Sequence, residues 1–219
     1  MQKSFPPVRT AIAFAPYAAV GAVHVVSKFA ELAAVDAFTK PLLMPLVLVG
    51  MLFALPRRRS ALALLASMGI VFSWLGDVLL QDPGDAGFLL GLGAFLLAHI
   101  AYLLLIIRHL RMRRFSWLMP LYALWWLALV LVLAPHLGTL LVPVAVYGLV
   151  LGAMAAFAAS GSRWLLAGGA LFVVSDTVLG LNRFLPGFEL WQVHTVIMFS
   201  YILAQGLIAF AVVRAGRGR

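Results

Sequence analysis

An all-α polytopic membrane bundle of about eight transmembrane helices, with the N- and C-termini cytoplasmic, is the fold class this sequence predicts. Three observations predict it. The 219 residues are 64% hydrophobic and only 11% charged, against ~45–50% apolar and ~25% charged in a soluble domain. Apolar runs near the ~20 residues needed to cross the hydrocarbon core recur along the whole chain, and its mean hydropathy is +1.08. The basic residues fall almost entirely on alternate sides of those runs, the asymmetry expected of a membrane protein.

Taken in order, the first span runs from about 10 to 28, after Lys3 and Arg9. It has no small-x-small cleavage site, so an uncleaved helix is expected rather than a signal peptide. The second, 38–55, is closed by Pro56 and the triplet Arg57, Arg58 and Arg59. The third, 61–80, ends before Asp82-Pro83-Gly84, a turn signal. The fourth, 87–107, runs into Arg108, Arg111, Arg113 and Arg114. The fifth and sixth, 115–134 and 138–158, are divided at Pro135-His136-Leu137-Gly138. The seventh, 164–182, and eighth, 192–213, are separated by Pro186-Gly187. All eight are read as a single transmembrane domain spanning residues 1–219.

With the N-terminus inside, the inner segments also collect Arg163, Arg214, Arg217 and Arg219. That leaves only Lys28, Lys40 and Arg183 of the sixteen basic residues outside. The seven acidic residues fall in outer loops or near the outer helix ends. A net charge of +9 therefore reads as topology rather than nucleic-acid binding. With no cysteine, disulfides, thiol nucleophiles and Cys-ligated zinc are excluded.

Two carboxylates sit late in otherwise apolar spans, Asp77 in Gly76-Asp77-Val78-Leu79-Leu80 and Asp176 in Ser175-Asp176-Thr177-Val178-Leu179. An ionised side chain in hydrocarbon costs at least ~2.5–3.5 kcal/mol, so such groups face protein-lined cavities. The third and seventh spans run in the same direction, as a four-helix duplication or simple convergence would leave them. Ser73 shares the face of Asp77 one turn earlier. Gly91, Phe95, His99 and Tyr102 form one stripe on the fourth span, and His194, Met198, Tyr201 and Gln205 another on the eighth. Lys40 stands at the outer mouth of the second span, and Arg183 lies two turns beyond Asp176. Snorkelling accounts equally well for Lys40 and Arg183, and interhelical hydrogen bonding for Tyr102, Tyr201 and Gln205.

Should the carboxylates share a pocket, desolvation and repulsion leave one protonated and one ionised near neutral pH. They would then be a general acid and a general base in one site. A zinc site from His99, His194 and the aspartates is possible by ligand type, but no metal-spaced pair such as HExxH is present. A metal-dependent ceramidase-like lipid hydrolase and a small proton-coupled transporter are the competing classes.

From Lys40-Pro41 through Gly76–Leu80, the Gly91/Phe95/His99/Tyr102 stripe, Gly169–Asp176, Leu179, Arg183-Phe184 and Tyr201–Ile208, the chain resembles the YhhN family of integral membrane proteins. The resemblance spans about residues 38–210 and is poor in the first helix and between Arg108 and Leu166. It implies a lysoplasmalogenase, cleaving the vinyl ether of a lysophospholipid to a fatty aldehyde and glycerophosphoethanolamine or glycerophosphocholine. It also implies a multi-pass protein of the plasma (inner) membrane whose partners are the bilayer and its substrate, with no nucleic acid. Asp77 and Asp176 would divide the acid–base work, supported by Ser73, His99, Tyr102, His194, Tyr201 and Gln205. Lys40 or Arg183 would hold the phosphate, and the chemistry would need no cofactor and no metal.

Overall fold

The computed structural model describes residues 7–82, 84–110 and 116–218, without the side chains of residues 7–9 and 85. Lys3, Pro83, Arg111, Arg113, Arg114 and Arg219, and the side chains of Arg9 and Asp85, lie outside the described residues. Those described form eight α-helices: α1 Pro7–Phe29, α2 Ala33–Ala54, α3 Ala61–Leu79, α4 Asp85–Leu105, α5 Met119–Leu137, α6 Leu141–Ala158, α7 Arg163–Phe184 and α8 Val193–Arg217.

Seven described helical segments are long and apolar enough to cross a membrane. One of them, the 40 residues Met119–Ala158, contains both α5 and α6. A short 3₁₀ turn, Gly138–Leu140, separates the two. Gly138 has φ 49° there, a conformation that glycine adopts without a Cβ penalty. The count thus stays near eight. The fourth helix differs from expectation at its end, where a π-helical turn, Ile106–Leu110, carries it past the anticipated stop at 107.

Successive helices pack as neighbours except α4 and α5, α4 lying instead against α6, and α8 lies against α1, α2, α3 and α7. It is accordingly the most buried span. Two devices set the spacing of α2 against its neighbours. Gly50 brings α2 onto α1 so closely that a Cβ there would stand 2.5 Å from the Ala13 carbonyl oxygen, the small-residue contact typical of membrane bundles. Pro45 has no N–H, so the Pro41 carbonyl one turn earlier loses its helical partner. The Trp74 indole N–H of α3 donates to that carbonyl at 3.0 Å. A backbone group that cannot go unpaired in lipid thereby ties α2 to α3 one turn before Asp77.

The two ends of the bundle differ in charge. One end gathers Arg57, Arg58, Arg59 and Arg217 around one cleft, and Thr10, Arg214 and Gly218 around its neighbour. At the other, α1 and α2 are pinned by Lys28–Asp36 at 2.5 Å and by His24 Nδ1 with Thr39 Oγ1 at 2.8 Å.

Candidate active site

The site begins with helix periodicity. On α8, Tyr201 and Gln205 lie one turn apart and both face α3, where Ser73 and Asp77 are likewise one turn apart. Tyr201 OH donates to Asp77 Oδ2 at 2.7 Å. Gln205 Nε2 donates to Ser73 Oγ at 2.9 Å and, more weakly, to Tyr201 OH at 3.4 Å. Tyr102 of α4 donates to Gln205 Oε1 at 2.6 Å, which fixes the amide's orientation. Its ring fits there because α3 offers Gly69, where a Cβ would lie 2.3 Å from Tyr102 Cε1. Hydroxyl and amide hydrogens therefore run in one direction, from Tyr102 through Gln205 and Tyr201 to Asp77. All five residues are buried, so each satisfied bond avoids the penalty of an orphaned polar group.

Asp176 has a separate partner. Tyr147 of α6 donates to Asp176 Oδ2 in a short contact. Tyr147 is the one residue of α6 with a polar side chain. That solitary hydroxyl was the available signal, but no periodic companion makes it part of a stripe. Asp176 and Tyr147 open into a narrow apolar slot between α4, α5, α6 and α7, walled by Leu92, Phe95, Trp125, Leu133, Leu151 and Phe184 among others. Trp125 is held by its indole N–H donating to Thr177 Oγ1 at 3.0 Å. The slot leaves ≈ 50 Å³ open to water-sized spheres. A water needs ~10–15 Å³ of such space, so a few waters fit, whereas an acyl chain requires the walls to part.

Aromatic rings join the two carboxylates. Tyr147 meets His99 edge-on at 5.3 Å, His99 meets Phe172 at 4.6 Å, and Phe172 meets Tyr201 at 5.5 Å. The path thus runs Asp176–Tyr147–His99–Phe172–Tyr201–Asp77. His99 is fully buried, and neither ring nitrogen closes a hydrogen bond of normal geometry among the described residues. The Phe95 carbonyl, a turn earlier on α4, is a polar neighbour of the ring. A neutral imidazole so placed has a donor and an acceptor available to water or substrate.

The remaining predicted residues divide. Lys40 is half-buried and precedes Pro41, whose carbonyl accepts from Trp74 of α3. The Arg183 guanidinium lies 4.4 Å from the Phe88 ring centroid and 6.0 Å from that of Phe184; both rings line the slot. His194 is exposed and lines a different cleft, with Lys28, Glu31 and Asp36. The stripe that carries Tyr201 and Gln205 has left the bundle interior by the first turn of α8. Buried His24 and Thr39, with half-buried Asp36, form a polar cluster that no helical stripe in the sequence marks. Among the described residues, no three His, Asp or Glu side chains converge as a metal-binding set.

Comparison with known proteins agrees in extent with this architecture. The YhhN family model matches residues 35–212. A human protein named lysoplasmalogenase TMEM86B is 36% identical over 159 residues, covering 67% of this chain and 62% of its own. Proteins named lysoplasmalogenase from Mycobacterium bovis and Mycobacterium tuberculosis are each 35% identical over 150 residues, covering 64% of this chain and 56% of theirs. The matches thus span about three-fifths of the length of these relatives. No solved structure matches.

Proposed function

The chain belongs to the YhhN family, and from that premise we propose that it hydrolyses the vinyl ether bond of a lysoplasmalogen, with Asp176 as general acid and Asp77 as general base. The observation that carries this reading is a pair of tyrosine-held carboxylates joined by a run of packed rings, with one carboxylate opening into an apolar slot. The names of the relatives support the reaction, and the placement of the two aspartates supports the division of labour.

Vinyl ether hydrolysis needs a proton on the β-carbon, the carbon on the alkyl side of the double bond. Asp176 lines the apolar slot where that chain would lie, which supports it as the donor of this proton. Protonation leaves an oxocarbenium ion, whose charge an ionised Asp77 stabilises. Water adds to the α-carbon as its proton passes to Asp77, and a hemiacetal results. In the collapse the roles reverse. Asp77 returns its proton to the departing glycerol oxygen, and Asp176 accepts the hemiacetal hydroxyl proton as the aldehyde forms. One water is consumed, and both carboxyl groups end as they began. The donor chain through Gln205 and Tyr201 keeps a proton pointed at Asp77. His99, between the two carboxylates, would hold the attacking water. Arg183, on two rings of the slot wall, would take the head-group phosphate, and Lys40 would supply a further positive charge.

The testing experiment is turnover of lysoplasmalogen by the purified protein in detergent. Fatty aldehyde is the expected product, released at an unchanged rate with EDTA present. Failure to form aldehyde overturns the assignment, and loss of activity on chelation overturns its metal-free chemistry. Tyr147→Phe removes one hydrogen bond to a carboxylate, worth ~1.5–3 kcal/mol, and is expected to lower kcat roughly 10–100-fold while the thermal midpoint moves little. An unchanged kcat would remove Tyr147 from the acid's positioning.

A further inference from the structure

The inner end of the bundle holds a cleft that the proposed reaction does not use. It lies where α2 ends, α3 begins and α8 finishes, and its walls include Phe53, Pro56, Arg57, Arg58, Arg59 and Arg217. Its charge is unbalanced. The chain's seven acidic residues are Glu31, Asp36, Asp77, Asp82, Asp85, Asp176 and Glu189, and none lies in the segments that build the cleft. The ion pairs of Asp36 with His24 and Lys28 lie at the opposite end. Among the described residues, no acidic side chain pairs with the guanidinium groups that line it.

The cleft is also built rather than merely populated. Arg217 donates through Nε and Nη2 to the Ala54 carbonyl at 3.4 and 3.3 Å, which satisfies a carbonyl at the end of α2 and holds the guanidinium in the cleft. Arg57 lines this cleft and also an adjoining recess with Ser60, Ala61 and Leu62 of the α3 start. Apolar surface continues directly from the charge. Phe53 is 61% exposed, with the Arg58 guanidinium 6.0 Å from its ring centroid, and Val49 one turn away on α2 is 65% exposed. A cationic pocket opening onto a lipid-facing apolar stripe matches an amphiphile that carries a phosphate at one end. Arginine's fork suits phosphate oxygens, and basic clefts at the cytoplasmic ends of membrane helices take anionic lipid head groups.

We propose that this cleft binds an anionic phospholipid by its phosphate, with Arg57 and Arg217 as principal contacts and an acyl chain along Phe53 and Val49. Such a lipid ties together the ends of α2, α3 and α8, two of which carry the Asp77 network. The test uses the full chain in neutral detergent and reads its thermal midpoint, so it is independent of any turnover. Phosphatidylglycerol is expected to raise the midpoint by several degrees, with phosphatidylcholine giving little change. Raised sodium chloride should shrink the increment, since exposed charge is screened. R57Q, whose guanidinium makes no hydrogen bond or ion pair among the described residues, and R217Q should each remove most of the increment, while K28Q at the opposite end should retain it. A full increment in both arginine variants, or an equal increment with phosphatidylcholine, overturns the proposal. So does inorganic phosphate reproducing the whole effect, because the site would then hold a free anion and not a lipid.

Discussion

Asp77→Asn and Asp176→Asn are each expected to lower vinyl ether turnover by roughly 10²–10⁴-fold, the usual contribution of a general acid or base. Asparagine retains the shape and a carbonyl oxygen, so Tyr201 and Tyr147 keep an acceptor at 77 and 176. What disappears is the capacity to give and take a proton. Because each carboxyl group gives up one proton and takes up another in every cycle, either loss interrupts all of it. The double variant should then be only slightly slower than the worse single one, the non-additivity of groups acting as a unit. Aldehyde release measured beside thermal melts separates this from unfolding. Additive losses would mean that the two residues act independently, and full activity in either variant would remove it from the chemistry.

Gly69→Ala is expected to damage stability and activity together. Its new Cβ would stand 2.3 to 2.7 Å from three atoms of the Tyr102 ring. That ring is fully buried, so it has no free direction in which to retreat, and overpacking of this kind costs ~1–3 kcal/mol. Displacing Tyr102 also releases the Gln205 amide from its 2.6 Å anchor, and with it the donor that faces Tyr201 and Asp77. The thermal midpoint should fall, and kcat should fall further than in Gly93→Ala, where a Cβ would meet nothing within 4 Å. Equal behaviour of the two variants would show that α3 and α4 can separate without cost.

Much of this arrangement is readable from local spacing, because residues three or four apart on one helix must share a face. Tyr201 with Gln205, and Ser73 with Asp77, are readable for that reason. Spacing says nothing of which faces meet, so the bond from Tyr201 to Asp77 and the Gln205 bridge to Ser73 emerge only from packing. Tyr147 escapes a reading by periodicity because it stands alone in an apolar helix, with no companion to mark a polar face. His194 shows the opposite error. It belongs to the Tyr201 stripe by periodicity, yet α8 emerges from the bundle before reaching it, and it joins the cleft of Lys28 and Asp36. Span positions are largely readable because hydropathy acts over whole helices. The π-helical end of α4 is not, since it depends on hydrogen-bond register rather than composition.

The central claim is that a carboxylic acid of this protein protonates the vinyl ether carbon. Its most direct test is a brief incubation of lysoplasmalogen with the purified protein in D₂O, with mass analysis of the aldehyde released. Addition of a solvent-derived proton to the β-carbon predicts an aldehyde carrying one deuterium on the carbon beside the carbonyl, and no turnover of the saturated alkyl ether. Aldehyde without that deuterium, or equal cleavage of the saturated ether, would contradict the mechanism.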